Sequence, residues 1–366
     1  MPSDWNDTML SEPHELAEHM QIPSTTTDGS NLISLPTEIY ETILDELVEW
    51  PQTLRACALV SHLFAQLAQK LLFSCICFKS SSKVVNPAVG DESYVQPSIR
   101  FFQILSSSPH LAGYVKSLIV TDADLFKHYY AYHENIRSSS DNAVPQILPL
   151  LANLEELGLA GTVLREHHLG FLAWQNDLRM GILEQCSSDR LVKIRLAYVR
   201  NVPLNLIGLA PRLETLGLRD VSFISDLDHD TVRRAFDLQE YMKLRQRSPP
   251  ARLKHVSVTS MSFEEWRICY LWLAPHLDLT QIKTLELHIE FRDDVNEEMI
   301  EKFRQTISNL LSGCSATLET LRFFMPQLDE GRFTFIHFCN KPLLTTHALS
   351  SFFSNSDRFT KPAPAL

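Results

Sequence analysis

Apolar residues in the middle of this chain recur in the pattern L-x-x-L-x-L. The clearest copies are Leu154-Leu157-Leu159, Leu191-Ile194-Leu196, Leu213-Leu216-Leu218, Leu253-Val256-Val258, Ile282-Leu285-Leu287 and Leu318-Leu321-Phe323. A weaker first copy reads Val115-Leu118-Val120. The last two apolar positions of each copy stand two apart, which puts them on one face of a short strand. The first lies three residues earlier, where it can turn inward as the strand begins. A strand with its return segment cannot bury such a face alone, so the pattern predicts neighbours stacked side by side.

The central positions 118, 157, 194, 216, 256, 285 and 321 are separated by 39, 37, 22, 40, 29 and 36 residues. A regular leucine-rich repeat has a period of roughly 20–29 residues. Most returns here therefore have room for a full helix and a longer loop, and the array should be irregular. The Asn that closes the turn in regular repeats is missing: Gly161, Tyr198, Asp220 and Ser260 stand at or near its place. The expected fold class is α/β, with an N-terminal helical block followed by an irregular leucine-rich-repeat-like solenoid of parallel strands and helical returns.

The block before the repeats has helical spacing. Pro36 suits the first turn of a helix, and Glu38 and Glu41 favour its positive end. Ile39, Ile43 and Leu47 form a stripe four residues apart, with Tyr40 and Leu44 beside it. Pro51 is expected to end this helix. Leu54, Cys57, Ala58 and Leu59 mark a second helix, and Leu63, Phe64, Leu67, Leu71 and Leu72 a third, closing in the apolar stretch Phe73 to Phe78. Three short helices bury little of their own surface, so such a block usually needs a partner.

The expected organisation is a disordered acidic tail at 1–30, the helical block at 31–79, a linker at 80–97, the repeats at 98–330 and a non-repeat tail at 331–366. Ser24 to Asp28 reads as a solvated linker rather than a phosphorylation site. The segment 99–105 should be helical and lead through Pro109 into the first repeat. Ser262 with Glu265, and Asp294 with Glu297, read as capping boxes of two return helices, and Gly313 is placed to end the second. After Glu330 the pattern stops and no polar cap follows, as a truncated or aberrant gene model would read. Transcript sequencing across the region tests that.

Charge narrows the function classes. The net charge of −11 is localised: eleven acidic and no basic residues precede Arg55, and 33 basic face 33 acidic residues from there on. Nothing resembles the basic stripe that phosphate backbones demand, so nucleic acid is not an expected partner. Arg233, Arg234, Lys243, Arg245 and Arg247 form a local basic cluster, read as a solvated helix face in preference to an acidic-substrate site. No apolar run is long enough to span a membrane, and the first thirty residues are not a secretory signal. Seven scattered cysteines fit a reduced protein of the cytoplasm or nucleus.

Leu35-Pro36-Thr37-Glu38-Ile39 with Ile43-Leu44 and Leu47, then Leu54-Arg55-Ala56-Cys57-Ala58-Leu59-Val60-Ser61, resembles the F-box. Its continuation through Phe64 to Leu72-Phe73-Ser74-Cys75-Ile76 is similar to that of fungal F-box proteins. So is the passage from Phe101-Phe102-Gln103-Ile104-Leu105 through Pro109-His110-Leu111 to Tyr114-Val115-Lys116-Ser117-Leu118. Phe64 departs from the Trp of many F-boxes, and the repeat spacing departs from regularity. The resemblance implies that residues 31–79 bind the Skp-type adaptor subunit of a cullin-RING ubiquitin ligase while the repeats hold a protein target. The implied adaptor-binding residues are Leu35, Pro36, Ile39, Ile43, Leu47, Leu54, Val60, Leu63, Phe64 and Leu67. Each is equally a candidate for the internal core of the three helices.

No nucleophile elbow, Walker loop, dinucleotide fingerprint or zinc-protease motif occurs. His167-His168 is read as surface loop or repeat core, Cys75-x-Cys77 as packing, and Glu155-Glu156 as solvated charges at a strand start. The chain is expected to be no enzyme and to need no cofactor or metal. Two function classes stay open: a substrate-recruiting adaptor of a ubiquitin ligase, or a non-catalytic repeat scaffold or inhibitor acting without one.

Overall fold

The computed structural model describes residues 35–78, 97–121, 143–161, 171, 174, 176–224, 251–290, 297–326 and 333–339. The basic cluster at 233–247, the pair His167-His168, Asp294 and the segments 1–30 and 80–96 lie outside the described residues.

The described chain is α/β. It opens with helices α1 (Thr37–Asp45), α2 (Pro51–Cys57) and α3 (His62–Leu72), followed by strand β1 (Cys75–Phe78) and helix α4 (Pro97–Ser107). Then come β2 (Ser117–Thr121), β3 (Glu156–Ala160), β4 (Lys193–Ala197), the short β5 (Val202–Pro203) and β6 (Thr215–Arg219). The short β7 (Phe223–Ile224), β8 (His255–Ser262), β9 (Thr284–Glu290), β10 (Thr320–Pro326) and β11 (Phe333–Cys339) complete the strands. Nine of them form one sheet in the order β1-β2-β3-β4-β6-β8-β9-β10-β11, with β5 and β7 paired apart. Every pair in the large sheet is parallel except β10 with β11.

Register follows the apolar pattern through both buried rows and shifts only beyond them, between Thr259 and Met261 of β8 against β9. Leu118, Leu157, Ile194, Leu216, Val256, Leu285 and Leu321 stand opposite one another strand by strand, and Ile76 of β1 extends the row. Val120, Leu159, Leu196, Leu218, Val258, Leu287 and Phe323 make a second row. Both rows are buried, as are the leading positions Val115, Leu154, Leu191, Leu213, Leu253, Ile282 and Leu318. Because side chains alternate along a strand, the buried rows commit the residues between them to the opposite face. Helices Asn176–Cys186, Phe263–His276 and Glu297–Cys314 supply Ile182, Trp266, Cys269, Phe303 and Ile307 to the same core.

Seven strands of the large sheet, β2, β3, β4, β6, β8, β9 and β10, start on the same device. The carbonyls of Ser74, Lys116, Glu155, Val192, Glu214, Lys254 and Lys283 each accept two successive amides of the next strand's start. The strands also end alike. Tyr198, Asp220 and Ser260 have φ of 56°, 47° and 55° and turn the chain where regular repeats have their Asn. Gly161 serves the corresponding place by size: a Cβ there would lie 2.2 Å from the Tyr198 carbonyl oxygen. Its amide donates to Ala197, as Tyr198 donates to Arg219 and Asp220 to Thr259.

Several expectations need correction. Pro51 does not end α1 but opens α2, where its missing N–H costs nothing; α1 has already stopped at Asp45. The boundary read at 79/80 falls behind β1, which belongs to the large sheet. Gly313 lies inside the last turn of a helix that runs to Cys314. Within 331–366, expected to be non-repeat, residues Phe333–Cys339 form β11, which pairs with β10 antiparallel and so departs from the parallel pattern of the strands before it. Ser262 caps its helix as expected, accepting from the Glu265 amide at 3.3 Å.

Cysteines divide by burial. Cys186, Cys269 and Cys314 are buried, whereas Cys75 and Cys77, expected to pack, are exposed on β1 because Ile76 and Phe78 take its inner face. Burial pushes the Cys186 thiol up to about 12 and the Cys314 thiol to about 11, and raises that of Cys269. The thiolate is the reactive form. Iodoacetamide at about pH 8 is thus expected to modify Cys75 and Cys77 in the native protein, and the three buried thiols only after denaturation. Peptide mass mapping reads the outcome, and native labelling of Cys269 would contradict the packing described.

Candidate functional site

Two surfaces stand out, one on the helical block and one on the uncovered face of the sheet. In the block, Leu44, Leu54 and Leu67 form a small core of their own, with Tyr40, Leu47, Cys57, Leu63, Phe64, Leu71 and Leu72 packed around it. Phe64 meets the Tyr40 ring edge-on at 5.3 Å. Lys70 pairs with Glu41 at 3.0 Å and ties α3 to α1.

The ten residues singled out from sequence therefore separate into two groups. Leu54 and Leu67 are buried, and Leu47, Leu63 and Phe64 are half-buried against them. Leu35, Pro36, Ile39, Ile43 and Val60 are exposed. On α1, Ile39 and Ile43 stand four residues apart and are exposed, with Leu35 exposed just before the helix, while Tyr40 and Leu44 pack inward together with Leu47 just past its end. Sequence reasoning missed three neighbours: Val48, Trp50 and Leu59, the last 88% exposed. Leu59 adjoins Val60 just past α2, and Trp50 stands directly before Pro51, a place where a large apolar residue has no helix to pack on. Exposed carboxylates at Glu38, Asp45, Glu46 and Glu49 border Ile39 and Ile43. Ile39 and Ile43, neighbours on one helix face and rimmed by charge, are an exposed apolar surface of the kind that another molecule covers.

On the sheet, the face opposite the helices carries a depression of about 420 Å³ centred on Gly217. Arg195 and Lys193 of β4 line one side, Ser257 and Glu286 the other, His255 the start of the strands and Arg219 their end. Glu156 forms ion pairs with both Arg195, at 2.9 Å, and Lys193, at 3.2 Å. Glu286 accepts from the Ser257 hydroxyl at 3.1 Å and lies 3.7 Å from Arg322. Arg219 sits 5.2 Å above the Tyr198 ring. The equivalent hollow over Gly158 does not exist, because Ile119 fills it.

No family model matches this chain, and neither a curated protein nor a solved structure matches it. Among the described residues no group of three His, Cys, Asp or Glu is arranged to hold a metal ion. Also among them, no helix is long and apolar enough to cross a membrane. Arg200 reaches Asp220 at 2.8 Å and Glu265 at 3.4 Å, a partly buried triad that ties two strand ends to a helix start. Its role is structural: all three charges are spent on one another. The chemistry that remains exposed is that of binding, apolar on the block and polar on the sheet.

Proposed function

We propose that this chain is the substrate-recognition adaptor of a cullin-RING ubiquitin ligase. Residues 35–78 are its F-box and bind the Skp-type subunit, while the strands and returns behind them form a leucine-rich-repeat-like solenoid that holds a protein target. The observation that carries this reading is the exposed apolar set Leu35, Ile39 and Ile43, with Val60 and Leu59 exposed past α2, on a block whose own core is already filled. An apolar surface of that kind is stabilised by burial at about 25 cal/mol per Å². The bordering carboxylates call for a partner face ringed with Lys or Arg. Direct attachment of the block through β1 to the sheet would fix the distance between ligase and target.

Co-purification of the full chain with a recombinant fungal Skp-type subunit tests the proposal, beside a chain beginning at residue 80. Retention by the full chain alone supports it. Failure of both to bind would leave the repeats as a scaffold or inhibitor acting outside a ligase.

A further inference from the structure

The depression over Gly217 differs from the rest of the sheet face in charge and in shape. In and beside it stand four cations, Lys193, Arg195, Arg219 and Arg322, against two carboxylates, Glu156 and Glu286. Lys193 and Arg195 share the single Glu156, and Glu286 is engaged by Ser257 and Arg322. Arg219 is exposed, and among the described residues no carboxylate pairs with it. Its guanidinium carbon stands instead 5.2 Å from the centre of the Tyr198 ring, on an exposed side chain.

The ring is there because Tyr198 adopts a φ of 56°, a conformation that a bulky residue rarely takes. Strain of this sort persists where surrounding structure enforces it, and it concentrates at working surfaces. Gly217 supplies the room. Its missing side chain leaves room for an extended backbone to approach the sheet between Arg195 and Ser257, and a Cβ there would make only ordinary contacts, with Arg195 Cγ at 3.5 Å and the Ile194 carbonyl oxygen at 3.9 Å among them.

We propose that this depression binds an acidic peptide segment, with a carboxylate seated on Arg219 and a second drawn towards Arg195 and Lys193, whose two charges the single Glu156 leaves half neutralised. Bidentate carboxylate recognition is what a preoriented guanidinium does best. A nucleic acid fits less well, since the chain as a whole carries −11 and the cations form a spot rather than a stripe. This assignment rests on the reading that the sheet holds the target, and it names the chemistry of the segment held.

The test is fluorescence polarisation of the full chain with a labelled Glu-rich peptide, beside its Gln counterpart. Saturable binding of the Glu peptide alone is expected, weakened about tenfold or more by Arg219→Glu and also by Gly217→Leu, which fills the hollow. Circular dichroism of both variants must match the parent. No saturable binding, equal binding of the Gln peptide, an Arg219→Glu variant that binds like the parent, or displacement of the peptide by a far lower concentration of a single-stranded oligonucleotide would overturn the proposal. Binding of the Skp-type subunit by Arg219→Glu should equal that of the parent. A parent chain that binds the peptide but not that subunit keeps this site and discards the ligase; the reverse result discards the site alone.

Discussion

Replacing Ile39 and Ile43 together with aspartate is expected to abolish binding of the Skp-type subunit without unfolding the helical block. Both residues lie outside the core of Leu44, Leu54 and Leu67, at 45% and 49% exposure, so the buried core is left intact in the free protein. In a complex they would be covered, and an unpaired carboxylate in an apolar contact costs several kcal/mol. At 1.4 kcal/mol per decade, two such costs lower affinity by about a thousandfold or more. The comparison that gives the experiment its force is Leu44→Asp. That side chain is fully buried one position along, so the change should melt the block and lose binding by a different route. Circular dichroism and a binding titration separate the two. A double variant that retains parental affinity would remove the α1 stripe from any account of adaptor binding.

The contrast between Ile43 and Leu44 also marks how far the sequence could be read. Two apolar stripes run side by side along α1 and its flanks, at 35, 39, 43 and at 40, 44, 47, and helical spacing alone does not say which faces inward. Only the packing of Leu54 and Leu67 against the second stripe decides it, and that depends on how three helices meet. Strands were far more legible. A period of two combined with burial on one side leaves a single register, and the seven central positions from Leu118 to Leu321 align as their spacing implied. The turn residues Tyr198, Asp220 and Ser260 were visible as replacements for a missing Asn, but their left-handed backbone was not, since none of these types demands it. Pro51 was misjudged because proline is compatible with both the end of one helix and the start of the next. The depression escaped notice entirely: Gly217 reads as a weak strand residue until its neighbours in space, Arg195 and Ser257, are known.

Truncating Leu216 to alanine is expected to cost about 2–5 kcal/mol, whereas adding a methyl group at the very next residue, Gly217→Ala, should leave stability unchanged or raise it slightly. Leu216 is fully buried in β6, opposite Ile194 on one side and Val256 on the other. In a stacked array each strand is held mainly by its two neighbours, so a cavity here weakens both interfaces at once. The cost is a large part of the roughly 5–15 kcal/mol that holds an ordinary domain together. Gly217 points the other way. A Cβ there makes only ordinary contact with Arg195, and relief of glycine's backbone freedom favours the strand by about 0.5–1 kcal/mol. Urea denaturation followed by Trp fluorescence reads both variants, with midpoints moving in opposite senses or only one moving. Equal loss in the two would mean that the sheet is covered on both faces, and then neither the open depression nor a target-binding surface could lie where they are drawn here.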